Sequence, residues 1–234
     1  MVVVQDLFNW FDEVPLSAWS TFFALNGFFF AVLIGLLIAE LLRRFHRLNA
    51  VVRMEATALG QIKRALMFQE GTKLSDEAIR SDVRAYAASV VSVEWPDMAT
   101  KQRIRAEEGA MPELLEVLKK IRALERQDAL DVIATRLLID SVIEATSLRA
   151  ERLHLAAEQL SPALRWAVLF LSLVIIGSFA ALNIGDVGIH IVMVVLLGIG
   201  MGLLNYGLAE LSQPFVGVWS ISRDPFLEVA RGRE

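Results

Sequence analysis

The sequence predicts an all-α integral membrane protein with three transmembrane helices and a cytosolic helical bundle between the first and second spans. Three observations carry that reading. Three apolar stretches reach the roughly 20 residues that a helix needs to cross a bilayer core of about 30 Å. Residues 43–160 repeat apolar positions at three- and four-residue spacing, with no strand alternation. Arginines cluster beside the apolar stretches in a consistent pattern, as membrane orientation requires.

The first span runs from about Leu16 to Leu42 and is followed at once by Arg43, Arg44, His46 and Arg47. The segment before it carries Asp6, Asp12 and Glu13 but no Lys or Arg, so the N-terminus is expected outside and Arg43 in the cytoplasm. The start lacks a basic region and a small-residue cleavage site, so this segment is expected to stay as an anchor. Residues 1–15 form an extracytoplasmic segment in which Val4, Leu7, Phe8 and Phe11 suggest an amphipathic surface helix.

Four helices are expected in the cytosolic domain, residues 43–160. The first continues out of the membrane through Val51, Val52, Glu55, Leu59, Ile62 and Leu66 until Gly71 stops it. The second starts near Ser75 as its cap and passes Ile79, Val83, Tyr86, Val90 and Val93 to Trp95, where Pro96 is expected to end it. The third opens at Pro112, and the fourth covers roughly Asp128 to Leu160. Interleaved Arg and Glu mark their solvated faces.

The second span, about Leu164 to Leu182, is introduced by Ser161 as cap and Pro162 at the first helical position. Only Asn183, Ile184, Gly185, Asp186, Val187 and Gly188 separate it from the third span, Ile189 to Leu211, so residues 161–211 form a helical hairpin. Arg149, Arg152 and Arg165 before it, and Arg223, Arg231 and Arg233 after it, place both ends inside. Residues 212–234 are then a cytosolic tail, and the chain is a multi-pass protein of the inner membrane.

Composition narrows the function classes. With 55% hydrophobic and 21% charged residues, and a mean hydropathy of +0.50, the 234-residue chain must divide between lipid and water. A net charge of -4 supplies no basic field for neutralising phosphates, so nucleic acid is not an expected partner. The absence of cysteine excludes disulfides, thiolate zinc sites and thiol catalysis, and leaves the redox compartment unread. His46, His154 and His190 lie on separate elements, so no metal or other cofactor is expected. No nucleophile elbow, zinc-helix motif or paired catalytic carboxylates can be picked out, and an enzyme is not expected.

Two features of the spans point to chemistry. In the third, Gly198 and Gly202 make a small-xxx-small pair, and Asn205 and Ala209 continue the same face, a stripe suited to close helix packing. In the first, Phe22, Asn26, Phe29, Leu33, Leu36 and Glu40 alternate at spacings of four and three and share one face, which continues into Arg43 and Arg47. Asn26 and Glu40 are costly against lipid, and an intramembrane ionisable group is a functional signal by default. Two readings of this face stand open. Copies of the helix around an axis would make hydrophobic rings that gate by dewetting, with charged rings at the cytosolic mouth. Alternatively, Asn26 joins helices together and Glu40 pairs with Arg44 at the interface.

Four segments together resemble the bestrophin-like family of bacterial membrane proteins. They are VRMEATAL from Val52 to Leu59, YAASVVSVEWPDM from Tyr86 to Met98, LSPALRW from Leu160 to Trp166, and QPFVGVWSISRDPF from Gln213 to Phe226. The resemblance covers most of the chain. It implies a distant relation to bestrophins, oligomeric anion channels whose pore is lined by an early helix with hydrophobic and aromatic side chains. The family has two spans before its helical domain, whereas this chain has room for one. Carried onto this sequence, the resemblance implies a homo-oligomer, taken as a pentamer, in a lipid membrane. Its pore would be lined by Phe22, Asn26, Phe29, Leu33, Leu36 and Glu40, its mouth by Arg43 and Arg47, and its cargo would be ions such as chloride. The family-motif residues Glu55, Glu94, Trp95, Pro96, Pro214 and Phe215 are expected to be structural, with Pro96 fixing a helix corner and Pro214-Phe215 and Pro225-Phe226 pinning the tail to the helical domain. The alternative class is a non-conducting membrane scaffold or sensor whose cytosolic helices bind a protein partner.

Overall fold

The computed structural model describes residues 16–68, 73–100, 109–124, 129–158, 160–182 and 186–232. The proposed surface helix in residues 1–15, the stop at Gly71, Asp128, the turn residues Asn183 to Gly185, and Arg233 lie outside the described residues. Among those described, the regular structure is entirely helical: α1 (Leu16–Ala65), a 3-10 turn (Leu66–Phe68), α2 (Lys73–Ser89), a π-helical turn (Val90–Glu94), α3 (Trp95–Thr100), α4 (Met111–Arg122), α5 (Ala129–Ala157), α6 (Pro162–Ala180), α7 (Val187–Leu211) and α8 (Asp224–Arg231). The chain divides into two compact units. One holds the described residues up to Leu42 with Leu160–Ser212, and the other holds Arg43–Gln159 with Gln213–Glu234.

Among the described residues, three helices, α1, α6 and α7, are long and apolar enough to cross a membrane, with mean hydropathies of 2.4, 2.0 and 2.5 over their most apolar windows; the first unit holds α6, α7 and α1 as far as Leu42. Phe30, Ile34, Leu37 and Leu41 of α1 pack with Val168 and Ile175 of α6 and Leu208 of α7. α6 starts where Pro162 presets the backbone of the first turn, and the Ser161 carbonyl accepts from the amides of Leu164 (3.0 Å) and Arg165 (3.2 Å). The Ser161 side chain, expected to cap, makes no capping bond; the proline and the carbonyl suffice. α7 has a side-chain cap, since the Asp186 carboxylate accepts from the amides of Gly188 (2.9 Å) and Ile189 (3.1 Å). His190 turns its ring toward the Phe179 carbonyl at 3.1 Å, joining the two helices beside the turn.

The second unit has its own core, built from Leu48, Val51, Val52, Leu59 and Ile62 of α1, Ile79, Val83 and Tyr86 of α2, Leu114, Val117 and Ile121 of α4, and Leu138, Val142 and Ala145 of α5. α8 completes it with Phe226 and Val229 and ends at Gly232, whose φ of 69° is open to glycine at little steric cost. Two sequence expectations are corrected here. α2 begins at Lys73, so Ser75 lies inside the first turn rather than at the cap. Pro96 does not end the helix: the chain widens into the π-helical turn, in which the Trp95 amide reaches back to the Val90 carbonyl, and continues as α3. The wider turn relieves the clash that a proline ring makes with the carbonyl four residues earlier.

Candidate functional site

α1 buries one stripe in the first unit and leaves much of the rest of its surface open, Leu25, Phe28 and Val32 included. Phe30, Ile34, Leu37 and Leu41 are buried, the middle pair at 7% and 6% exposure, and their packing is spent on α6 and α7. The stripe singled out by the sequence lies elsewhere on the helix. Phe22, Phe29, Leu36 and Glu40 are exposed, Phe29 at 62% and Leu36 at 66%, while Asn26 and Leu33 are half-buried. The Asn26 amide donates to the Phe22 carbonyl one turn back at 2.9 Å, which satisfies a donor within its own helix. Aromatic rings brace one another along this segment, with Phe22 edge-on to Trp19 at 6.1 Å and Phe28 edge-on to Phe29 at 6.1 Å. The chain therefore leaves uncovered a face with polar ends and an aromatic middle, which meets lipid, water or another copy.

The glycine stripe of α7 is also open. A Cβ placed at Gly198 or Gly202 would meet nothing within 4 Å, so no helix of this chain approaches closely there among the described residues. Asn205 on the same face does engage a neighbour, donating to Ser172 Oγ of α6 at 3.0 Å and to the Met201 carbonyl at 2.9 Å.

Just beyond the first span, in the second unit, the basic residues are not equivalent. Arg43 is exposed. Arg47 is bound to the Glu151 carboxylate at 2.6 Å, so its charge is locally compensated. Arg44 donates to the Leu155 carbonyl through Nε (3.1 Å) and Nη2 (2.8 Å), filling an orphan acceptor in the last turn of α5. Burial lowers the Arg44 pKa, against the attraction of Glu158.

The strongest polar constellation lies in the core of the second unit, and the sequence reading did not assemble it. Arg152 is fully buried and holds two carboxylates, with Nε to Glu55 Oε2 at 2.8 Å and Nη2 to Glu94 Oε2 at 2.6 Å. Arg149 donates to Glu94 Oε1 through Nε (2.9 Å) and Nη2 (2.6 Å), and the Ala110 amide adds a third bond at 2.9 Å. The Tyr86 hydroxyl donates to Glu55 Oε1 at 2.5 Å. The Arg152 guanidinium also lies 5.5 Å from the Phe226 ring centre.

The electrostatics follow from this geometry. Burial works to raise the Glu94 carboxyl pKa, but Arg152 and then Arg149 outweigh it and hold the group below the ordinary carboxylate range. Burial likewise opposes the charge on Arg152, and Glu55 and Glu94 overcome it, leaving the guanidinium more firmly protonated than in water. For Tyr86 the effects add: burial and the adjacent Glu55 carboxylate push the phenol well above its ordinary value. Two acids and two bases balance, so the cluster is a neutral, densely bonded joint among α1, α2, the π-helical turn and α5. Such a joint fixes helices relative to one another; its groups are already committed to each other.

Arg149 and Arg152, read from the sequence as flank charges of the second span, are thus buried structural groups, because two carboxylates in the core require them. The signal was present as charge on an apolar stripe: Leu138, Val142, Ala145, Arg149 and Arg152 recur at spacings of four and three, and Glu55 follows Val51 and precedes Leu59 and Ile62 in the same way. Trp95 packs edge-on against Phe215 at 5.2 Å and near Phe226 at 6.2 Å, while Pro214 is buried and its carbonyl accepts from the Ile221 amide at 2.8 Å. Pro96 sits in the first turn of α3 beside them in sequence. Three of the segments that carried the family resemblance, around Glu55, around Glu94-Trp95-Pro96, and from Pro214 to Phe226, therefore meet in one place.

Comparison with known proteins identifies the family and the fold. The Bestrophin-like domain matches residues 17–226. Among solved structures, the chain is similar to a bacterial Bestrophin homolog from Klebsiella pneumoniae bearing an isoleucine-to-threonine mutation, with a TM-score of 0.72 at 14% identity over 89% of this chain and 85% of that one. A tyrosine-to-alanine variant of the homolog from the same organism gives a TM-score of 0.69 at 14% identity, covering 98% and 92% of the two chains. No curated protein sequence matches the chain.

Proposed function

This chain belongs to the Bestrophin-like family, and from that premise we propose that it is a homo-oligomeric ion channel of the inner membrane in which the uncovered face of α1 lines the pore. The observation that carries the reading is that α6 and α7 cover one stripe of α1 and leave the polar-ended face with Phe22, Phe29, Leu36 and Glu40 among its exposed surface. Three spans cannot enclose a conducting path alone, so copies must surround one, and we take the assembly as a pentamer. Around an axis, Phe29 and Leu36 would form successive apolar rings, narrow enough to gate by dewetting, and Glu40 and Arg43 would form charged rings at the cytosolic end. Asn26, bonded to its own helix, supplies a polar step at the other end.

Anions are the cargo we propose. Phenylalanine edges carry partial positive charge and Arg43 brings a cationic side chain to the same end, while the Glu40 carboxylate works in the opposite direction. The Arg47 charge is balanced by Glu151, so less of the preference rests on it than its position in the sequence suggests. The orientation has the N-terminus outside and the helical unit with the C-terminus in the cytoplasm, supported by the arginines at 43 and 165 beside the first two spans. Purified protein in a planar bilayer tests the reading. Reproducible ion-selective currents, altered by Phe29→Ala or Asn26→Leu, are the expected result. Correctly assembled but silent oligomers would overturn it in favour of a scaffold whose helical unit binds another protein.

A further inference from the structure

We propose that the cavity at one end of the α6–α7 hairpin binds a phospholipid with an anionic headgroup, held through Arg165. The proposal rests on the reading that α6 and α7 cross the bilayer; it does not require that the protein conduct.

The cavity has a volume of about 410 Å³ and is lined by residues from the start of α6 and the end of α7. In an antiparallel hairpin these ends share one membrane surface. Its lining is largely apolar, with Arg165 and Asn205 as the polar side chains. Arg165, one turn into α6, is exposed, and among the described residues its guanidinium has no hydrogen-bond or ionic partner. Trp166 beside it is 69% exposed, the position in which an indole settles between hydrocarbon and headgroups. One helical turn deeper, about 6 Å along the axis, the lining changes to Leu169 and Leu208. Ala209 leaves the space that a larger side chain would fill, and the NH2 group of Asn205, also in the lining, is already committed to Ser172 and Met201, so it does not demand water.

An unpaired guanidinium over an apolar slot matches an amphiphile rather than a soluble anion. The guanidinium fork suits a phosphate geometrically, and the leucine walls suit the first methylenes of an acyl chain. A basic pocket between spans on the cytoplasmic side is the setting in which anionic headgroups bind. A zwitterionic lipid presents the same phosphate with a compensating cation, so Arg165 discriminates by net charge.

Native mass spectrometry of the full-length protein in detergent tests this, with phosphatidylglycerol and phosphatidylcholine of identical acyl chains as probes and inorganic phosphate as competitor. The expected result is retention of phosphatidylglycerol about fivefold over phosphatidylcholine, the preference that one basic residue gives near an anionic surface. Arg165→Gln should abolish the preference, Arg165→Lys should keep most of it, and inorganic phosphate should not displace the lipid. Equal retention of the two lipids by the wild-type protein would overturn the proposal, and that comparison needs no variant. So would an unchanged preference in Arg165→Gln, or displacement by inorganic phosphate, which would mark a free-anion site instead. The same spectra give the oligomeric mass. A monomer that still prefers phosphatidylglycerol would sink the channel reading and leave the lipid site standing.

Discussion

Replacing Arg152 by methionine should unfold the helical unit more readily than any change of similar volume at its surface. The wild-type cluster balances Glu55 and Glu94 against Arg149 and Arg152, all of them buried. Without Arg152, Glu94 keeps Arg149 and the Ala110 amide, but among the described residues Glu55 keeps only the Tyr86 hydroxyl, and one buried negative charge is uncompensated. Breaking a buried ion pair from one side costs about 3–5 kcal/mol. Glu55→Met breaks it from the other side, leaving Arg152 with Glu94 as its one carboxylate and the Tyr86 hydroxyl without its acceptor. Added independently, the two changes would cost about 6–10 kcal/mol. The double variant, however, restores one acid to one base, so its loss should fall far short of that sum and near that of one single variant. The assay is urea unfolding of the full-length protein in mild detergent, followed by far-UV circular dichroism, in which the transition of the helical unit moves to lower urea. A loss below about 1 kcal/mol for Arg152→Met, or full additivity in the double variant, would refute the idea that these groups act as one neutral joint.

The same cluster gives the unit a pH signature. Because the folded state holds the Glu94 carboxyl below its ordinary range, its contribution is complete above the unfolded value near 4.3 and is lost as pH falls through the folded value. Urea midpoints should therefore drop at acid pH, and less steeply in Glu94→Gln. Tyr86 acts at the other end: its raised phenol stabilises the fold below about pH 10 and ceases to do so as pH climbs toward the folded value, so Tyr86→Phe should flatten the alkaline limb. At the hairpin, Asp186→Ala removes two capping bonds and should cost about 1 kcal/mol, read as faster amide exchange in the first turn of α7.

How far this could be read from the sequence depends on the length scale of the signal. The spans declared themselves because runs such as Leu164 to Leu182 have no alternative home, and α4 and α5 followed from Pro112 and from the periodicity beyond residue 128. Pro96 misled because a local rule about proline does not anticipate a π-helical turn ending two residues earlier, a device that depends on what the turn must bury, here Val90 and Glu94. Arg149 and Arg152 misled for a related reason. A charge near a span reads as a flank, and only three-dimensional pairing across 97 residues, from Glu55 to Arg152, reveals it as core. The exposed stripe of α1 was legible as a face, since helical spacing alone defines faces. Which face the chain spends on its own packing was not, because that is decided by Val168, Ile175 and Leu208 on distant helices.

The lack of native cysteine makes the most direct test of the pore simple. Single cysteines introduced as Phe22→Cys, Phe29→Cys and Leu36→Cys, and as Ile34→Cys and Leu37→Cys on the buried stripe, can be treated with a charged, membrane-impermeant thiol reagent during bilayer recording. Modification should change the current at 22, 29 and 36 and leave it unchanged at 34 and 37. Currents that respond at the buried stripe alone, or at none of the five positions, would contradict a pore lined by α1.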